Sequence, residues 1–219
     1  MNIHLIGDSH TLMHKGLEPE IMTHHFGACT AYGLLNEHSE TKSFQSLHNL
    51  IRSEISTLNT VFIFGFGEID CRVLIFYKHM EYKIDLVYMV QIVVYRYFAA
   101  ISYVRDLGIE VMVHGPIPAV QQGNEYNLKH YGDNSTRASI NLVFNRLLRE
   151  KCAKEGIMYF DACALPYLMG PHGLVPKEVL LPDLVHVDPK KVPIADDFGS
   201  WVKGMSSTIK MWNVKRGLA

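Results

Sequence analysis

Short apolar runs recur along this chain with helix-length segments between them, and that alternation limits its possible folds more than any other feature. Ile3-Ile6, Val61-Phe64, Glu110-Val113 and Met158-Phe160 are too short for helices and largely apolar, as expected of strands buried on both faces of a parallel sheet. A weaker candidate covers Ile21-His25. Helix candidates are His10-Lys15, Ser43-Leu58, Ile84-Leu107 and Ser135-Glu155, with a last one after Ile194. Gly108 and Gly156 stand where helix C-caps are expected. The pattern predicts a three-layer α/β/α sandwich around a mainly parallel sheet.

With 219 residues and 48% hydrophobic content, one core accounts for the chain, so residues 1–219 are read as a single domain. A formal net charge of -1 leaves no basic field for nucleic acid or for an anionic membrane surface. The expected partner is a small molecule or a neutral polymer such as a carbohydrate, and nothing in the sequence fixes an oligomeric state. The most apolar stretch, Ile84 to Val104, contains Asp85, Gln91 and Arg96, which favours a long core helix over a membrane span. Tyr88, Val94, Tyr95, Phe98 and Ile101 are expected to face the core from it. Cys29, Cys71, Cys152 and Cys163 lack CxxC spacing, and the first residues carry neither a charged n-region nor an apolar h-region. Reduced thiols and a cytoplasmic location are the expectation.

The chemistry concentrates at the two ends. Gly7-Asp8-Ser9-His10 directly follows the first apolar run, so Ser9 stands at the C-terminal end of a strand, on the rim where open α/β sheets bind ligands. Asp183-Leu184-Val185-His186 supplies the acid and the base that a serine nucleophile needs. Ser9 could merely cap a helix, but that leaves the Asp183/His186 pair unexplained. Two long loops, Gly115 to Asn134 and Ala162 to Pro193, follow strands and so lie near the same rim. Asp161 and Asp188 are rival acids. His10, His14, His24 and His25 invite a metal-site reading, but a metal needs a third ligand in a defined geometry, and no metal and no cofactor are expected. Asn141 and Asn145, four apart on a helix, are read as satisfying backbone groups.

These blocks, in this order, resemble the SGNH or GDSL hydrolases. The resemblance implies a flavodoxin-like central sheet, with Ser9 as nucleophile, His186 as base and Asp183 as the residue that orients it. It also implies oxyanion donors at the backbone N–H groups of Ser9 and of Gly27, the latter in His25-Phe26-Gly27-Ala28. The third block departs from the family's G-x-N-D. The chain reads Gly65-Phe66-Gly67-Glu68-Ile69-Asp70-Cys71-Arg72, and either alignment leaves Ile69 or Gly67 in place of the oxyanion asparagine. A further donor is therefore expected from the Gly67 to Arg72 loop. Arg72 either supplies it or pairs with Glu68 or Asp70 and shapes the loop; Asp8, His10, Glu68, Asp70 and Arg72 are together the expected substrate or loop residues.

The expected activity is serine esterase or acyl hydrolase chemistry on a small acyl ester, such as an O-acetylated carbohydrate. Two alternatives remain at this stage: a non-catalytic protein binding a glycan or acyl ligand in the same pocket, and an acyltransferase using the same three residues.

Overall fold

The computed structural model describes residues 1–17, 20–55, 59–121 and 129–215, with side chains as far as residue 205. In chain order the strands are β1 (Asn2–Gly7), β2 (Met22–His25), β3 (Thr60–Gly65), β4 (Glu110–His114), β5 (Ala119–Val120), β6 (Met158–Phe160) and β7 (Leu174–Val175). The helices are α1 (Ser43–Glu54), α2 (Ile75–Tyr82), α3 (Leu86–Asp106), α4 (Asn134–Glu155) and α5 (Ile194–Lys215). Five strands form one parallel sheet in the order β2-β1-β3-β4-β6, which is the flavodoxin-like order.

Strand alternation divides the core. His4 and Ile6 of β1, Phe62 and Phe64 of β3, and Val111 and Val113 of β4 share one face, where Ile6, both phenylalanines and both valines pack with α1, α3 and α4. Ile3, Leu5, Val61, Ile63 and Met112 face the other way, against α5 and the long segment after β6. Burial on both faces is why these strands read as continuous apolar runs rather than as an alternating pattern.

Helix termini follow local chemistry. Asp85 caps α3 by accepting from the Tyr88 N–H at 2.9 Å, and Asp133 caps α4 through the Thr136 N–H at 2.7 Å. Gly156 closes α4 in the left-handed conformation, as expected of a helix-ending glycine. By length and composition α3 could cross a membrane, yet Val90, Val93, Val94, Phe98, Ile101 and Val104 are buried against the rest of the fold.

Several sequence expectations need correction. The helix expected at His10-Lys15 is a 3₁₀ helix over Ser9–Leu17. The helix expected to reach Leu58 ends at Glu54; residues 56–58 lie outside the described part. Tyr88 and Tyr95 are 56% and 76% exposed: seven positions apart on an α-helix, they share a face turned about 100° from that of Val94, Phe98 and Ile101. The sequence reading omits α2, which follows a π-helical turn at Asp70–Leu74. It also omits the pairing of the two long loops through β5 and β7, where Ala119 meets Leu174 and Val120 meets Val175.

Candidate active site

The connections after β1 and β3 leave in opposite directions, towards β2 and β4 respectively, and such a switch point opens a crevice at the sheet rim. Gly7 ends β1 in register with Gly65 of β3. A Cβ on Gly7 would lie 2.2 Å from the Gly65 carbonyl oxygen, so only glycine lets the two strands end this close. Beyond it, the Asp8 carbonyl accepts from the Thr11 N–H at 3.1 Å and from the Thr11 hydroxyl at 2.8 Å. This i to i+3 closure winds the next residues at three per turn. Ser9 therefore begins a 3₁₀ helix, and its own N–H has no acceptor within that helix.

The other end of the chain meets Ser9 through a tight turn. The Leu181 N–H donates to the His186 carbonyl at 2.8 Å and the Leu184 N–H to the Leu181 carbonyl at 2.9 Å, while Leu184 takes a left-handed φ of 58°. Asp183 Oδ1 accepts from the backbone N–H groups of Val185 and His186 at 2.9 and 3.0 Å. That leaves Asp183 Oδ2 facing His186 Nδ1 at 2.7 Å, and His186 Nε2 stands 2.7 Å from Ser9 Oγ. A carboxylate can only accept, so the imidazole proton sits on Nδ1 and Nε2 receives the Ser9 hydroxyl proton. Burial pushes the Asp183 carboxyl up, but the His186 and Val185 N–H groups and the imidazole outweigh it and hold its pKa below the ordinary value.

No family model and no curated protein matches the chain. Solved structures do. A GDSL-like lipase from Bacteroides thetaiotaomicron superposes with a TM-score of 0.59 at 12% identity, over 95% of this chain and 88% of its own. A carbohydrate acetylesterase from Sinorhizobium meliloti gives 0.60 at 11% identity, over 94% and 100%. The aryl esterase of M. smegmatis gives 0.56 at 11% identity, over 93% and 99%. The chain has the SGNH hydrolase fold. Likeness at this identity concerns architecture, so the site of this SGNH-fold protein rests on its own residues.

In the third block Phe66, Glu68, Asp70 and Cys71 are buried. Glu68 receives the Arg72 guanidinium in a two-pronged contact, Nε to Oε1 at 2.6 Å and Nη2 to Oε2 at 3.1 Å, and Arg72 Nη1 donates to the Lys129 carbonyl at 2.7 Å. Three of the five guanidinium N–H groups are thus engaged, and the pairing with Glu68 is the one expected of an arginine that shapes the loop. Asp70 accepts from the Ala31 and Tyr32 N–H groups at 2.7 and 3.1 Å, tying the loop after Gly27 to the third block. Burial lifts the Asp70 carboxyl to about 7 against those two donors. Gly67 adopts a φ of +122°, and a Cβ there would come within 2.7 Å of the Phe144 ring, so this bend requires glycine. Gly27 also has a positive φ, 71°.

His10 joins these groups to the His186 turn. Its Nε2 donates to the Val185 carbonyl at 3.2 Å, its Nδ1 lies 3.3 Å from Asp8 Oδ1 and 3.8 Å from Glu68 Oε2, and its ring leans on that of His186 with centroids 4.7 Å apart. Burial favours the neutral ring, but Glu68 and Asp8 outweigh it and raise the pKa to about 9. Asp8 also accepts from the His10 N–H at 3.0 Å.

The rival acids are committed elsewhere: Asp161 to Arg149 and the Cys163 N–H, Asp188 to the Lys190 N–H of its own turn. His14 and His114 form a buried pair with Nε2 atoms 3.0 Å apart. Asn141 holds the Ile117 carbonyl at 2.8 Å, a structural role as expected. Among the described residues, no three His, Cys, Asp or Glu side chains are grouped to hold a metal. Sequence reasoning missed Leu12 and Leu181, which line a cleft of about 390 Å³ alongside Ser9 and His186; only the 3₁₀ winding and the turn at Leu181 bring them there.

Proposed function

We propose that this protein is a serine ester hydrolase acting on small acyl esters. One observation carries the reading: Ser9, His186 and Asp183 form a continuous hydrogen-bonded chain at 2.7 Å per link, although Ser9 and His186 are 177 positions apart in sequence. The rim crevice of the SGNH fold and esterase-named neighbours support it. In this mechanism Ser9 Oγ attacks the ester carbonyl carbon while His186 Nε2 takes the hydroxyl proton. Asp183 holds Nδ1–H and steadies the imidazolium. Collapse of the tetrahedral adduct breaks the bond to the alkoxy oxygen, which leaves with the proton from Nε2. Water then attacks the acyl-serine, again giving its proton to Nε2, and the acid departs as Ser9 recovers its hydrogen.

The proposed oxyanion donors are the N–H groups of Ser9, Gly27 and Gly67, with Arg72 acting through Glu68 to hold the third-block loop. Turnover of 4-nitrophenyl acetate by wild-type and Ser9→Ala protein, each shown to be folded by circular dichroism, tests the reading. The expected loss is about 10⁴-fold or more; equal turnover by the two proteins overturns it. Esters of O-acetylated carbohydrates fall within the proposed class, as do esters of apolar acids and alcohols.

A further inference from the structure

The lining of the cleft beside Ser9 separates these substrate classes. Leu12, Met13, Leu181, Val187 and Pro189 are half of its lining residues, alongside Ser9, His10, His186, Asp188 and Lys190. The winding of the 3₁₀ helix explains the first of them. At three residues per turn, side chains three apart eclipse one another, giving three rows. His10 and Met13 lie in one buried row and Thr11 and His14 in another, whereas Ser9, Leu12 and Lys15 form the row that faces out. Leu12 is consequently 42% exposed, one 3₁₀ turn along from Ser9, and both line the cleft. An α-helical turn would have put residue 12 about 60° around the axis from Ser9.

Leu181 reaches the cleft through the turn that presents Asp183 and His186, since its N–H is bonded to the His186 carbonyl at 2.8 Å. Most polar groups along the wall are engaged, Ser9 with His186, His10 with Val185 and Asp188 Oδ1 with the Lys190 N–H, while the Lys190 ammonium stands at the exposed edge. A sugar ring would find few convergent partners for its hydroxyls here, and desolvated hydroxyls without partners weaken binding.

We propose that this cleft selects esters carrying an apolar substituent, an alkyl or aryl group longer than acetyl, attached on one side of the ester bond. The proposal rests on the hydrolase reading. The group is the acyl chain or the alkoxy chain, and the experiment separates the two. kcat/KM is measured along 4-nitrophenyl acetate, butyrate, hexanoate and octanoate, and along ethyl, butyl and hexyl acetate by pH-stat, for wild-type and Leu12→Asp protein. Burial of a methylene contributes up to about fourfold, so one of the series is expected to rise at least about tenfold over four methylenes. In the exposed-site variant Leu12→Asp, the ratio of long to short ester in that series is expected to fall about fivefold or more. The rising series identifies which side of the ester occupies the cleft.

Ser9-dependent turnover that is flat or falls with chain length in both series overturns the substrate inference and leaves the hydrolase reading intact. Absence of Ser9-dependent turnover with every ester overturns the hydrolase reading. Binding of 4-nitrophenyl hexanoate to Ser9→Ala protein, followed by methyl NMR, then decides the cleft independently of chemistry. Shifts at Leu12, Leu181 and Val187 support it; shifts confined to other methyl groups, or none, overturn it.

Discussion

At Asp183 one carboxylate does two things with its two oxygens. Oδ1 closes the turn by accepting two backbone N–H groups, and Oδ2 fixes the imidazole of His186. Asparagine can keep the first function through its carbonyl oxygen, but it then presents an amide N–H to Nδ1 and favours the tautomer with the proton on Nε2. Asp183→Asn is therefore expected to retain the fold and lower kcat by about 10²–10⁴-fold, the lower end reflecting a side chain that is 42% exposed. Thermal melts paired with kcat measurements check this; activity near wild type means that the contact with His186 does not govern catalysis. The D-x-x-H signal was legible in sequence because a three-residue turn is local. The role of Asp70 was not, because its partners, the N–H groups of Ala31 and Tyr32, lie 39 and 38 positions away.

Among the elements, β1, β3 and β4 were readable because double-sided burial demands apolar runs, whereas the edge strand β2, Met-Thr-His-His with no fully buried residue, gave only a weak signal. The 3₁₀ winding after Ser9 was not, since it depends on Thr11 bonding the Asp8 carbonyl twice, and a helix-like composition suits either winding. The strands β5 and β7 span two residues each, too few to carry a period, yet they join the two long loops near the rim. The π-helical turn at Asp70–Leu74 places the Asp70 carboxylate under the loop that follows Gly27. Asp70→Asn leaves either the buried Ala31 N–H or the part-buried Tyr32 N–H without an acceptor, so a loss of about 1–3 kcal/mol is expected. Urea unfolding measures it, and an unchanged midpoint means that Asp70 does not hold the loop.

Across the whole molecule, buried histidines set an opposed pair of pH dependences. His10, raised to about 9 from 6.5, binds its proton more tightly in the folded state. Its contribution is complete below about 6.5 and is lost as pH rises through about 9. His14 and His114 are held neutral chiefly by burial, with His14 well below 6.5 and His114 at about 4. Their contribution is present above about 6.5 and is lost as pH falls towards about 4, because the unfolded chain then binds protons that the folded one does not. Read from denaturation midpoints, the histidine contributions are jointly greatest near pH 6.5, and Asp70, raised from 3.8 to about 7, adds a loss of stability as pH climbs between those values. His10→Gln should flatten the alkaline limb, and a limb of unchanged slope in that variant contradicts the assignment.

Ser9 activated by His186 at the switch point of an SGNH-fold sheet is the claim on which the rest depends. The measurement that tests it most directly is fluorophosphonate labelling with the adduct mapped by peptide mass spectrometry, on wild-type and folded His186→Ala protein. The account predicts an adduct on Ser9 in the wild type and loss of most labelling in the variant. An adduct on another residue, or Ser9 labelled equally well without His186, would contradict it.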